Sequence, residues 1–162
     1  MLNGEPVTVQ ETGDKMLVEL YRRYAGNYPK FFKMDTLSRL GFIAAEILLG
    51  QPADQGQPQV QTVILANRSA SIKNDTDYQA TISDGKYYPS PALFVYTLPN
   101  IVTGEIAIRH HIQGETAFYI LDKEEELAPI IHFTPFEAAL TGWCECSKPN
   151  RFYAKLQIIW NN

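Results

Sequence analysis

A short apolar run near the middle of the chain most constrains its fold. Residues 60–66, Val-Gln-Thr-Val-Ile-Leu-Ala, fit a central β-strand that is covered on both faces. Helical patterns lie on both sides of this run in the sequence, and further strand patterns follow towards the end of the chain. A strand of this kind next to helices predicts an α/β fold.

Four helices and three further strands are predicted around this run. The helices are residues 14–25, residues 35–49 with Asp35 as N-cap, a short helix capped by Asn74 or Asp75 that runs through Ile82 with Gly85 just past its end, and residues 101–111 with Asn100 as cap. Gly104, inside the last helix, is expected to be a close-packing residue. The strands are residues 117–121, 140–146 and 153–160, with a turn at 147–150 between the last two.

Composition limits the classes of function. A chain of 162 residues with 45% hydrophobic residues predicts a single domain, residues 1–162, with a substantial core. The net charge of -4, without a basic run, argues against nucleic acid or an anionic membrane surface as the main partner. No segment reaches the ~18 apolar residues that span a bilayer. The first residues also lack a signal-peptide pattern, so we expect a cytoplasmic protein.

Three segments resemble the β-ketoacyl-acyl-carrier-protein synthase (ketosynthase) family. SPALFVYTLPNIVTGEIAIRHHIQGE, residues 90–115, is similar to a family segment that runs from Ser-Pro through a hydrophobic stretch, an Asn and a Gly to a Lys-Gly-Pro turn. FFKMDTLSRLGFIAAEILLG and VILANRSASIKNDTDY resemble an early helix and a strand with its loop. The resemblance runs from about Phe32 to the C-terminus. It implies a thiolase-like half-fold, in which a mixed β-sheet has helices packed on it.

The resemblance also implies that the family's nucleophile is missing. In the family, the strand after the Lys-Gly-Pro turn leads to a nucleophilic cysteine, and counting from Gly114 without a gap puts that cysteine at Lys123. A lysine flanked by Asp122 and Glu124 is protonated and poor at thioester exchange. The family's two catalytic histidines belong to a second half that 162 residues do not reach. We therefore expect no catalytic residue, cofactor or metal.

The other reactive side chains have structural interpretations. His110 and His111 end a predicted helix, where a histidine commonly satisfies terminal carbonyl groups. His132 lies in an apolar segment and is expected to be a core residue. Cys144 and Cys146 occupy alternate strand positions on one face and are expected to be small, buried, reduced side chains.

Three functional alternatives follow from the resemblance. The first is a non-catalytic ketosynthase-like partner or scaffold in a pathway that uses acyl carrier protein for fatty acid or polyketide-type synthesis. The second is an independent enzyme that uses a remnant pocket, with Lys123 or a histidine, on an acyl thioester or another small carbonyl substrate. The third is assembly with a separately encoded second half, against which the missing cysteine counts.

The resemblance further implies an interface at the strand that precedes Lys123. In the family this strand pairs with its two-fold mate across the dimer. Its large apolar residues would make an exposed edge prone to aggregation without a partner. A homodimer is the first expectation, and a heterodimer with a full-length ketosynthase is the second. The interface residues are Ala117, Phe118, Tyr119, Ile120 and Leu121.

Overall fold

The computed structural model of the chain describes residues 8–50, 59–83, 86–87, 89–148 and 151–161. These residues contain helices and strands, with two short 3-10 turns, Pro29–Lys33 and Glu124–Glu126, between them. The helices are α1 Asp14–Tyr24, α2 Thr36–Leu49, α3 Ile72–Gln79, α4 Pro91–Val95, α5 Ile101–His110 and α6 Leu127–Phe133. The strands are β1 Thr62–Asn67, β2 Ile82–Ser83, β3 Lys86–Tyr87, β4 Thr116–Ile120, β5 Ala138–Lys148 and β6 Arg151–Trp160.

One mixed sheet organises the fold, as predicted. Its strand order is β4-β1-β5-β6, and β2 and β3 form a separate antiparallel pair. The central strand β1 is parallel to both β4 and β5, whereas β6 is antiparallel to β5. Every residue of β1 is buried, which agrees with the prediction of a strand covered on both faces.

Two helices cover one face of the sheet. Helix α5 contacts β1 and β4, and α2 contacts β5 and β6. Asp35 caps α2 as predicted, because its carboxylate accepts hydrogen bonds from the backbone N–H groups of Leu37 and Ser38. The two helices approach closely at Gly41, where a Cβ atom would lie 2.3 Å from Cγ2 of Val102. The other face is covered by α6, whose Leu127 packs with residues of β1 and β5.

The core therefore has a separate part on each face of the sheet. On the α2 and α5 side, alternate β1 residues Val63 and Leu65 pack against Val102 and Ile106 of α5. On the α6 side, the intervening residues of β1 pack against Leu127. This alternation follows from the two-residue period of a β-strand.

The predicted helix between Asn74 and Ile82 was wrong at both ends. Helix α3 begins at Ile72, after Ser71, and ends at Gln79, while Ile82 lies in β2. Asn74 does not cap the helix, because its amide donates a hydrogen bond of 2.8 Å to the carbonyl of Leu93 in α4. The predicted stop at Gly85, and residues 149 and 150 of the predicted turn, lie outside the described residues.

Two expectations about α5 need correction. Asn100 precedes the helix, but its side chain makes no capping hydrogen bond; its carbonyl accepts from Thr103 and Gly104 instead. Gly104 is not a close-packing residue, since a Cβ atom there would meet nothing within 4 Å. No helix in the described part of the chain has the length and apolar character needed to cross a membrane.

Candidate functional site

The candidate site lies where β1 and β4 end. Because these strands are parallel, their carboxyl ends meet at one edge of the sheet, and the backbone N–H of Leu121 donates to the carbonyl of Asn67 at 2.9 Å. Lys123 follows Leu121 by two residues. The predicted strand end next to Lys123 is therefore present, and it lies at the sheet edge where α/β proteins commonly bind ligands.

Lys123 is exposed on a turn and is not at the start of a regular helix. The 3-10 turn Glu124–Glu126 follows it, and the seven-residue α6 begins only at Leu127. The Glu126 carboxylate accepts hydrogen bonds from the backbone N–H groups of Asp122 and Lys123, at 3.0 and 3.4 Å. The stabilisation that a long helix gives a nucleophile at its N-terminus is not provided here.

The carboxylates next to Lys123 bind other neighbours. Glu124 accepts from the Tyr153 hydroxyl at 3.2 Å and lies 2.8 Å from Nζ of Lys155, both on β6. Partial burial and the Glu124 carboxylate raise the pKa of Tyr153. Asp122 forms an exposed ion pair with Arg68 at 3.7 Å. These contacts tie the turn to β6 and to the loop after β1.

A second cluster of polar residues lies at this edge of the sheet and was not predicted from the sequence. Glu145 of β5 accepts hydrogen bonds from the Ser69 hydroxyl and, at 3.0 Å, from the backbone N–H of Arg68. The amide of Asn67 donates to the carbonyl of Ala70 at 2.9 Å. A carboxylate is a weak base for a serine hydroxyl, so these contacts fasten the loop to β5. The only sequence signal was the polar Glu145 between two buried cysteines.

Two of the histidines lie at the opposite end of β4 from Lys123. His110 and His111 lie at the end of α5, which leads into the amino end of β4, whereas Lys123 follows its carboxyl end. Nε2 of His110 lies 2.7 Å from a carboxylate oxygen of Glu46, and His111 ends α5 with a φ of 54°. The prediction that His132 is a core residue was wrong. It is exposed on the short α6, beside the ring of Phe133.

Both cysteines are free and buried, as predicted. Cys144 and Cys146 belong to the same core cluster between the sheet and α2. Burial raises the pKa of the Cys144 thiol far above its ordinary value. Burial also raises the pKa of Cys146 to about 12, although nearby Lys73 acts in the opposite direction. Neither thiol is suited to act as a nucleophile near neutral pH.

A cavity of about 210 Å³ lies away from Lys123, among α1, α2, α3 and α4. Most of its charged residues have partners nearby. Lys73 forms an ion pair of 3.0 Å with Asp77, and Asp14 accepts a hydrogen bond of 3.2 Å from the Thr36 hydroxyl. Asp35 and Arg39 bind backbone groups. Within the described residues, no group of three or more histidine, cysteine, aspartate or glutamate side chains is placed to hold a metal ion. The cavity is lined by Asp14, Lys33, Met34, Asp35, Thr36, Arg39, Lys73, Asn74, Asp77, Ala92, Leu93 and Tyr96.

The predicted interface strand lies at the edge of the sheet. Strand β4 contacts only β1 in the described sheet. Ile120 exposes 53% of its surface, while Ala117, Phe118, Tyr119 and Leu121 are half-buried. Burial of this strand by a partner stays a prediction.

Comparison with known proteins gives a match in structure alone. No family model matches the sequence, and no curated protein matches it. The structure titled "The ishigamide ketosynthase/chain length factor" matches with a TM-score of 0.62 and 21% identity over 76% of this chain. The complex of ketosynthase ApeO with its chain length factor ApeC from Xenorhabdus doucetiae matches with a TM-score of 0.61 and 13% identity over 91% of this chain.

The matched chains are longer than this one. This chain spans 37% of the matched chain of the ishigamide structure and 72% of the matched chain of the Xenorhabdus doucetiae complex. At these identities the likeness concerns the fold, and it agrees with the mixed sheet and its helices. The chain has a ketosynthase-like thiolase fold.

Proposed function

We propose that this protein is a non-catalytic ketosynthase-like protein that acts by association in a carrier-protein-dependent pathway of the fatty acid or polyketide type. The two structures named above each contain a ketosynthase with a chain length factor. This chain shares their fold, and that likeness supports a role for this protein as the partner of a ketosynthase-like protein. The carrier protein would deliver acyl groups to that partner.

The observation that carries the proposal is the environment of Lys123. At the position that the resemblance gives to the nucleophile, an exposed lysine precedes a three-residue 3-10 turn. The two thiols of the chain are buried, with pKa values raised by burial. An acyl thioester needs an accessible nucleophile in its reactive protonation state, and the buried thiols do not supply one.

Acylation tests the non-catalytic part of this proposal. After incubation with acyl- or malonyl-thioesters, we expect no increase in the intact mass of the protein. A stoichiometric acyl mass increase that is lost in Lys123→Ala would instead support an independent acyl-thioester enzyme. Denatured protein, in which the two cysteines are accessible, serves as the positive control for the reagent.

Co-purification tests the partner role. The protein is co-expressed with a ketosynthase-like protein and with an acyl carrier protein. We expect a stable complex and product formation that needs both chains. Product formation by the ketosynthase-like protein alone, together with no complex at micromolar concentration, would contradict the proposal.

A further inference from the structure

The cavity among α1, α2, α3 and α4 is lined by charges of both signs that do not pair with one another. Lys33 and Arg39 line it together with Asp14 and Asp35. None of these four side chains forms an ion pair with any residue that the structure describes. Opposite charges that face one small volume attract each other, so a further interaction must hold them apart. The cavity therefore offers a cation and an anion to a molecule that enters it.

Hydrogen bonds to neutral groups hold three of these side chains in place. The Asp35 carboxylate caps α2, and the Asp14 carboxylate accepts from the Thr36 hydroxyl at 3.2 Å. Nε and Nη2 of Arg39 donate to carbonyl groups of the preceding 3-10 turn, at 3.2 and 2.9 Å. These bonds leave Nη1 of Arg39 without an acceptor among the described residues. Side chains fixed in this way lose little conformational freedom when a ligand binds.

A buried amide group faces the same cavity. Asn74 lines it and exposes only 4% of its surface. Its Nδ2 donates to the carbonyl of Leu93 at 2.8 Å, while its Oδ1 accepts no hydrogen bond from the residues that the structure describes. An amide oxygen in a buried side chain costs free energy when it lacks a donor. The cavity thus has a place for an N–H group of a ligand.

The environment of Asp35 favours a positively charged ligand group. Burial raises the pKa of Asp35 above its ordinary value of 3.8, and the hydrogen bonds from α2 and the charge of Lys73 offset this effect only in part. A further cation in the cavity would stabilise the carboxylate. An ammonium group is both a cation and an N–H donor, so it suits Asp35 and the Oδ1 of Asn74 together.

The size and the apolar lining of the cavity limit the rest of the ligand. A volume of about 210 Å³ holds about seven water molecules, at ~30 Å³ each. It is smaller than the ~300–1,000 Å³ of pockets for drug-sized molecules. Met34 is buried, and Leu93 and Tyr96 are half-buried, so the charged groups lie beside apolar surface. A small molecule with an ammonium group, a carboxylate and a short apolar part matches this lining.

We propose that this cavity binds a free amino acid with an apolar side chain. Asp14, Asp35 and the Oδ1 of Asn74 bind its ammonium group, and Lys33 and Arg39 bind its carboxylate. The inference goes beyond the proposed function, because it gives this chain a small-molecule site apart from the sheet edge at Lys123.

Calorimetric titration of this chain alone tests the site. The probes are leucine, methionine and valine, with two leucine analogues that each keep one charge: leucinamide lacks the carboxylate, and 4-methylpentanoate lacks the ammonium group. At low salt we expect leucine to bind with one site per chain. Each analogue should bind at least about tenfold more weakly, because it loses charge-assisted hydrogen bonds. No binding of any of the three amino acids at millimolar concentration, or equal affinity for leucine and either analogue, would overturn the inference.

Two exposed lysines provide a matched pair of variants. Lys33→Met removes a cation of the cavity and should weaken leucine binding about tenfold, while it leaves the affinity for leucinamide unchanged. Lys15→Met removes a lysine of α1 that does not line this cavity, and should change neither affinity. Equal effects of the two variants on leucine binding would contradict the assignment. Absence of leucine binding would leave the proposed partner role intact, because that role is measured by complex formation.

Discussion

At the scale of single residues, two glycines in neighbouring helices have opposite surroundings. Gly41 faces α5, where a Cβ atom would lie 2.3 Å from Cγ2 of the buried Val102, while Gly104 has open space around it. We expect Gly41→Ala to lower the free energy of unfolding by about 1–3 kcal/mol through overpacking. Gly104→Ala, its matched control, should raise it by about 0.5–1 kcal/mol through helix propensity. Urea denaturation of both variants measures these changes in the free energy of unfolding. Equal changes in the two variants would contradict the packing of α2 on α5.

The thiols provide a second test at this scale. Because Cys144 and Cys146 are buried and their pKa values are raised by burial, we expect neither to react with a thiol-specific disulfide reagent near neutral pH. Both should react fully in denaturant. Rapid reaction of either thiol in the native protein would show that the cluster between α2 and the sheet is open to solvent.

At the scale of elements, α2 and α5 are joined by an ionic cluster around the buried Glu46. Burial acts to raise the pKa of Glu46, but the adjacent His110 and Arg109 outweigh burial and hold the pKa below its ordinary value of 4.5. A carboxyl group with a lowered pKa in the folded state stabilises the fold above its unfolded pKa. That contribution is lost as the pH falls through the folded pKa.

This cluster predicts the pH dependence of the contact between the helices. We expect the free energy of unfolding to fall below about pH 4.5, and Glu46→Gln to remove that part of the decrease. At neutral pH the variant should be less stable by about 1–3 kcal/mol, since its amide leaves buried donors partly unpaired. Denaturation of both proteins between about pH 3 and 7 isolates the contribution of Glu46, because other groups, such as the partly buried Asp35, contribute to both curves. Parallel curves would contradict the assignment.

At the scale of the whole molecule, the sequence predicted the parts of the fold that depend on local patterns. Strand β1 was predicted from its apolar run, and α2 from Asp35 and the helical spacing that follows. Helix α3 was misplaced because Asn74 bonds to Leu93, a residue whose proximity depends on tertiary packing.

The candidate site was predictable only in part for the same reason. The position of Lys123 after a strand follows from adjacent residues. The contact between Ser69 and Glu145 joins residues 76 positions apart, so no local pattern contains it. The exposure of His132 was also not predictable, because only Leu127 of the seven residues of α6 is buried although the segment is mostly apolar.

The central place of β1 in the sheet also affects how the chain is made. Its neighbours come much later in the sequence, since Val63 pairs with Thr116 of β4 and with Leu140 of β5. At a synthesis rate of about 5–20 residues per second, β1 waits about 4–15 seconds on the ribosome for its second neighbour. During that interval Val63–Ala66, which is buried in the folded protein, lacks its second neighbouring strand. The sheet is therefore completed late in synthesis, and an apolar segment of this kind is prone to aggregation until β5 emerges.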